Sequence, residues 1–512
     1  MTARFEKSPW PGIVIVCIAL VLRCWLIEIK PPHFDEGING WFADQMTATG
    51  YYRYDPTNYH GPLHFYAVFL SQTLFGREVW ALRLPAILAS VLCVIAMLRF
   101  REFFGTGVAR LAALAMAISP GLVFYGRYSI HESWQVLFSI LFLHALLGLW
   151  QNGTRRDFFT LIAAATGLIL TKETYLVHLG CFAIACFVLW VWQYLVPSRP
   201  AFPVALQKWR RDDVILSVGL AALLITFFYS GTFRDFGALR GLYQTFTVWV
   251  KTGVDSAGHH KTAYDLVGPL NYYWIAIMAR YEWPALAGVI ACLRYMGPSD
   301  ARLRYTAIAS TGTLLAYSLI SYKTPWCIIS IIWPFYLMLG ALLKEWADRC
   351  DRRRVWLIAV PLFTVSLWAS IRLNFFVYTD DSEPYVYVQT LEDIRKFTDP
   401  VLTAAKSQPD GYQMKGSIIL DSYYPLPWML GDFTRVGYYK KDSMPSDWDC
   451  DFVIVDTSME AATEKNFAKP FHKIPFRLRS GQDDCTAYLS AERFSKILGT
   501  EPNIIPKANV EP

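Results

Sequence analysis

Ionisable side chains in this sequence gather in a few short stretches that also carry Gly, Pro, His and aromatic residues. They are His33-Phe34-Asp35-Glu36, Tyr59-His60-Gly61-Pro62-Leu63-His64, Arg127 with His131-Glu132, Lys172-Glu173, His259-His260-Lys261, Glu282, and Lys323-Thr324-Pro325-Trp326. The carboxylates of Asp35, Glu36, Glu132, Glu173 and Glu282 could take a proton from an attacking hydroxyl or hold a divalent metal. The cations of Arg127, Lys172, Lys261 and Lys323 could neutralise a phosphate leaving group. Ionisable groups beside hydrocarbon are costly and usually mark a site or a pathway, so both kinds together suit a lipid-phosphate substrate.

Five of these stretches also have a plainer reading. Asp35-Glu36 could flank or cap a helix N-terminus. His60 and His64 stand i, i+4 as a zinc pair would, but the Glu of an HExxH motif is missing, so phosphate or hydroxyl contact is the favoured use. Lys172-Glu173 could be an interfacial ion pair, and Lys323 could snorkel at a helix end. His259-His260-Lys261 reads equally as a lid or a solvated loop.

The elements that must position these residues are apolar. Hydrophobic residues make up 54% of the 512-residue chain and charged residues 18%, where a soluble domain carries about a quarter charged. Runs near the length of a bilayer-spanning helix lie at 11–29, 80–98, 109–126, 134–150, 157–170, 175–196, 213–230, 282–296, 304–321, 326–344 and 355–377. Arg/Lys-rich loops alternate between them (99–110, 155–156, 208–211, 294–304 and 344–354), which by the positive-inside rule are cytoplasmic. The N-terminus is then cytoplasmic, its first run reads as an uncleaved signal anchor, and the chain ends outside. Segments 39–53, 62–75 and 266–281 are expected as amphipathic helices on the outer surface.

From residue 378 the apolar runs shorten. Helical patterns (387–406, 457–467) mix with strand-like stretches (417–420, 452–455, 485–489), which predicts a small external α/β domain. The expected fold is thus a polytopic α-helical membrane protein of about 11 transmembrane helices over 1–377, with an α/β domain over 378–512. Ten cysteines show no metal-finger spacing. Cys450 and Cys485 could pair in an oxidising compartment. A net charge of +6 with no basic stripe argues against nucleic acid.

The stretches HFDEGINGWFA (33–43), YRYDPTNYHGPLHFY (52–66), FGREVWALRLPA (75–86), SPGLVFYGRYSIHESW (119–134), LTKETY (170–175), HHKTAYDLVGPLNYYW (259–274), YEWP (281–284), YSLISYKTPW (317–326) and EPYVYVQTLEDI (383–394) resemble, in order and spacing, the GT-C superfamily of integral-membrane glycosyltransferases. The resemblance is closest to the flippase-activity-associated branch of archaeal-type glycosylation. It is more distant to the aminoarabinose transferases and protein O-mannosyltransferases. It implies transfer of a sugar from a polyprenyl-phosphate carrier to an acceptor glycan, lipid or protein, on the outer face of a plasma or inner membrane. Asp35 matches the acidic residue of the first outer loop, the family's main catalytic candidate, and Glu132 an acidic position of the second.

Arg127, Lys172 and Lys323 match positions suited to the lipid phosphate. His60 falls near a lysine of the aminoarabinose enzymes, whose neighbouring acid is Tyr59 here. The expected catalytic set is therefore Asp35, Glu132 and Glu36, with Asp35 and Glu132 as candidate ligands of a divalent metal, the one cofactor in view. His60, His64, Arg127, Lys172, Glu173, Lys261 and Lys323 are the expected substrate contacts. Two rivals use the same residues: a transporter or flippase of lipid-linked sugars, and a non-catalytic partner that binds such lipids. The first predicts paired halves with broken helices near the midplane, whereas here the charged motifs sit at outer helix ends and the halves show no clear symmetry. The second predicts tolerance to loss of Asp35.

Overall fold

The computed structural model describes residues 8–58, 60–195, 208–255, 272–297, 299–320, 323–350, 352–479 and 484–505. They form two compact units. The first comprises Met1–Ile27, Met46–Tyr378 and Ser382–Tyr385; the second comprises Glu28–Gln45, Thr379–Asp381 and Val386–Pro512. The segment 28–45, expected within a membrane domain of 1–377, thus clusters with the C-terminal residues.

Helices stand over all the apolar runs. They are α1 (Trp10–Cys24), then, after α2 (Phe34–Thr49) and α3 (Leu63–Phe75), α4 (Val79–Arg99), α5 (Thr106–Ile118) continuing as α6 (Pro120–Gly126), α7 (Glu132–Asn152), α8 (Arg155–Thr171), α9 (Tyr175–Leu195) and α10 (Arg211–Tyr229). After α11 (Gly241–Asp255) and α12 (Tyr273–Tyr281) come α13 (Trp283–Met296), α14 (Ala301–Leu319), α15 (Ile328–Arg349) and α16 (Arg352–Phe375). Among the described residues, six helices are long and apolar enough to cross a membrane, and seven if the bent pair α5–α6 is one span. The 59° bend follows from local chemistry. Pro120 has no N–H to continue α5, and the Ser119 hydroxyl accepts from Leu122 N at 3.2 Å, capping a new helix. Helix α15 is the hub, packed on α13 and α5 and buried along most of its length, whereas α10 leaves most of its apolar surface uncovered, as a lipid-facing helix does. Of the segments 39–53 and 62–75, α2 covers the first up to Thr49 and α3 nearly all of the second. Of 266–281, α12 is helical and 266–271 lies outside the described residues.

In the second unit, β1 (Lys415–Ile419), β2 (Arg435–Tyr439), β3 (Phe452–Asp456), β4 (Phe471–Phe476) and β5 (Cys485–Ser490) form one sheet in the order β2-β1-β3-β5-β4. β1 runs parallel to β2 and β3, and β5 antiparallel to β3 and β4. Alternation along β3 builds two layers. Phe452 and Ile454 pack with Phe397 and Val401 of α17 (Arg395–Ser407) and Phe494 of α18 (Ala491–Leu498), while Val453 and Val455 pack with Phe467, Phe471 and Tyr488. The edge strand β4 contains Pro475. Its Phe471 N–H donates to Ile504 O at 2.9 Å and its Lys473 N–H to Asn503 Oδ1 at 2.6 Å.

Two expectations need correction here. The helix predicted over 387–406 begins only at a 3-10 turn at Glu392–Ile394, because Val388 takes a positive φ of 51°. Cys450 and Cys485 do not pair: Cys485 stands opposite Asp456 at one end of the β3–β5 ladder and Cys450 precedes the other end. Six residues of strand separate them by roughly 20 Å, far beyond the reach of a disulfide.

Candidate functional site

Asp35 sits in the first turn of α2, and its placement is built entirely within the second unit. The His33 ring accepts the Asp35 backbone N–H on Nδ1 at 3.1 Å, so its Nε2 carries the proton and donates to Tyr387 O at 2.8 Å. Burial lowers the His33 pKa and keeps the ring neutral, in keeping with that tautomer. The Glu36 carboxylate accepts the His33 N–H at 2.8 Å and is fully buried. That is a helix-capping bond, which removes Glu36 from the expected catalytic set. On the next turns, Gly37 and Gly40 let α2 lie against the 425–428 turn. A Cβ at Gly37 would stand 2.4 Å from Pro425 Cα, and one at Gly40 2.3 Å from Trp428 Cδ1. Phe34 is covered by the Arg479 guanidinium, 4.4 Å above its ring, and Arg479 also donates to Ser422 O and Oγ at 3.0 and 2.7 Å. Burial pulls Arg479 down to about 10, and the Asp35 carboxylate opposes that fall. The Asp35 side chain keeps 35% exposure.

The first unit gathers a second group. The backbone of His60 bridges to that of Lys172, and Gly61 N donates to Thr171 O at 3.0 Å. This pairing brings the His60 ring to Glu173, with Nδ1 3.0 Å from Oε2. Lys172 forms a buried ion pair with Glu132. Burial would lower the Lys172 ammonium, but the Glu132 carboxylate outweighs it and holds the pKa well above its ordinary value. Three imidazoles cluster beside this pair. His131 lies 4.6 Å from His60 and 4.7 Å from His64, ring centre to ring centre, and Ser129 Oγ is 3.2 Å from His64 Nε2. Burial, then the neighbouring His60, His64 and Lys172, push His131 well below its ordinary pKa, so it is neutral. Of His60, His64, His131, Glu132, Lys172 and Glu173, His60 alone is appreciably exposed.

Two expected phosphate contacts have other work. Arg127 is 1% exposed and donates to the carbonyls of Leu22, Trp25 and Leu26 at 3.0, 2.7 and 2.8 Å, satisfying the end of α1. Lys323 donates to Tyr317 O and Ser318 O at 2.8 and 2.9 Å, and to Ile320 O, which engages all three ammonium protons at the end of α14. Glu282 is buried and accepts from Gly121 N (2.6 Å), Ser119 Oγ (2.9 Å), Tyr336 Oη and Tyr385 Oη (both 3.0 Å), clamping the break between α5 and α6.

Lys261, with His259 and His260, lies outside the described residues. Among the described residues no group of three or more His, Cys, Asp and Glu side chains could hold a metal ion. The surroundings agree: Glu132 faces an ammonium, and Asp35 lies beside a buried guanidinium. These donors do not fit a divalent cation, which needs several oxygen ligands around it. The sequence reading missed Arg479, which comes from the far end of the chain, and the part of His131 in joining His60 to His64.

Residues 59–206 match the family model of dolichyl-phosphate-mannose-protein mannosyltransferases. No curated protein matches the sequence. Solved structures match along nearly the whole chain. ArnT from Cupriavidus metallidurans in the apo state has 14% identity over 93% of this chain and 97% of that one, with a TM-score of 0.61. The same protein bound to undecaprenyl phosphate has 13% identity over 94% and 98%, with a TM-score of 0.65. The Archaeoglobus fulgidus oligosaccharyltransferase tethered to an acceptor peptide has 12% identity over 94% and 75%, with a TM-score of 0.50. The matched family segment and the shared architecture lead to one conclusion: this membrane protein has the fold of the GT-C glycosyltransferases.

Proposed function

We propose that the chain transfers a sugar from a polyprenyl-phosphate carrier to a hydroxyl- or amide-bearing acceptor, with Asp35 as the base. The observation that carries this reading is the state of Asp35: a part-exposed carboxylate on a helix whose first turns are locked by His33, Glu36, Gly37 and Gly40. A carboxylate held in one place can accept the acceptor's proton as its oxygen or nitrogen attacks the anomeric carbon. The glycosyl–phosphate bond breaks, and its electron pair leaves with the lipid phosphate. As candidate phosphate contacts we carry forward His60, which is part-exposed and oriented by Glu173 within the first unit, and Lys261. The Glu132–Lys172 pair, His64 and Glu173 act by holding His60. A structural relative that binds undecaprenyl phosphate supports the carrier class. No step is routed through a metal.

The test is single-turnover transfer from a labelled lipid-linked sugar, with carrier binding measured in parallel. Asp35→Asn should lose transfer by about a hundredfold or more, the usual scale for an acid–base group, while still folding and binding carrier. Unchanged transfer would remove Asp35 from the chemistry. A wild type that binds carrier but never transfers would favour a non-catalytic binding partner.

The proposed orientation has the N-terminus in the cytoplasm and the C-terminal sheet on the outer side of the plasma or inner membrane, a reading that the alternating basic loops support. Reporters fused after Arg156 and Arg354 should read cytoplasmic, and one after Tyr385 external. A cytoplasmic signal from the last fusion would reverse the assignment.

A further inference from the structure

A cavity of about 240 Å³ opens between α12–α13 and the last turns of α16, all within the first unit. Two guanidiniums line it, Arg280 and Arg372. Both are tied to Glu383, with Arg372 Nη1 2.6 Å from Oε1 and Arg280 Nη2 3.2 Å from Oε2. Tyr281 Oη also donates to Glu383. Two guanidiniums thus line the cavity, and among the described residues no carboxylate lines it. Trp283 and Trp368 stand on its rim, 41% and 62% exposed. Trp283 is the first residue of α13, and an exposed indole at a helix end is typical of a membrane interface. Ser366 also lines the cavity. It is 2% exposed, and its hydroxyl has no hydrogen-bond partner among the described residues.

We propose that this cavity binds the headgroup of an anionic glycerophospholipid. Ser366 and Arg372 lie on one helix, six residues and therefore about 9 Å apart along its axis. Arg372 is in the last turn of α16, with Ser366 deeper along the span, next to Val365 and Ala369. A phosphate at the level of the two arginines sets a lipid's glycerol and ester oxygens at the level of Ser366, whose hydroxyl would donate to them. Free phosphate would satisfy the arginines and leave that buried hydroxyl unpaired, which is unfavourable. The volume is below the roughly 300 Å³ at which drug-sized pockets begin, which suits a headgroup whose acyl chains remain in the bilayer. The cavity shares no residue with the proposed sugar-transfer site, so the two readings stand or fall separately.

Native mass spectrometry of the detergent-purified full chain tests this, with phosphatidylglycerol, phosphatidylcholine and undecaprenyl phosphate as probes. The wild type should retain one phosphatidylglycerol in preference to phosphatidylcholine. Arg280→Gln, at a half-exposed position, and Ser366→Leu, which fills the cavity, should each weaken retention about tenfold. Arg280→Gln alone decides the matter if Ser366→Leu does not fold. Equal retention by wild type and Arg280→Gln would overturn the assignment, as would equal binding of phosphatidylcholine. Selective retention of undecaprenyl phosphate, lost in Arg280→Gln, would overturn it in favour of the carrier.

Discussion

Arg127 and Lys323 in the helical unit, and Asp35 in the other, are all charged residues at helix ends, yet they meet opposite fates. Arg127 and Lys323 are buried, and their donors are used on the carbonyls that close α1 and α14. Asp35 opens a helix whose capping is done by Glu36, so its own carboxylate stays part-exposed. The difference lies in the solvent each helix end must satisfy. Next to lipid no water completes terminal carbonyls, so a cation there is consumed by the backbone. On a unit with its own sheet and core, capping can be delegated to a neighbour, and one acid is left for chemistry. A charge at a membrane helix end is therefore a functional candidate only after its backbone debts are counted.

The comparison can be broken at several points. The largest effect should come from Asp35→Asn, whose loss of transfer by about a hundredfold should appear without loss of stability. Arg127→Ala should do the reverse. It strips three carbonyls of a charged donor, so thermal or denaturant unfolding should show a loss of about 3 kcal/mol or more, with carrier affinity of the folded fraction unchanged. A selective loss of carrier binding at wild-type stability would restore Arg127 to the phosphate site. The smallest effect should come from Tyr336→Phe, which removes one of the four donors to the buried Glu282 carboxyl. Unfolding should show a loss of about 1 kcal/mol. Unaltered stability would remove Tyr336 from the clamp between α5 and α6.

The helices were legible because they are written in local composition: each apolar run holds a helix, although among the described residues only six, or seven with the bent pair, are long and apolar enough to span, against about 11 expected. The end cations misled because composition does not say what a side chain bonds to. Arg127 meets carbonyls about a hundred residues earlier in the chain. Asp35 and Glu36 are neighbours with different destinies, since one residue of helix turns the side chain by about 100° and sends Glu36 inward. The spacing of Gly37 and Gly40 was visible, but its reason, Trp428 and Pro425 against the helix, was not. Edge strands β2 and β4 escaped notice because half-exposed edges mix polar residues, Gly437 and Pro475 into the strand pattern.

That proline has a consequence for how many copies can share one membrane. Molecules confined to a plane collide far more often than molecules in solution, and the bare edge of a sheet invites a neighbour to add a strand. On β4 the invitation is withdrawn residue by residue. The N–H of Phe471 is given to Ile504, that of Lys473 to Asn503, and Pro475 has none to give. A neighbouring chain approaching along these three positions would have to bury its own carbonyls unpaired, a penalty that keeps crowded copies from growing into fibres.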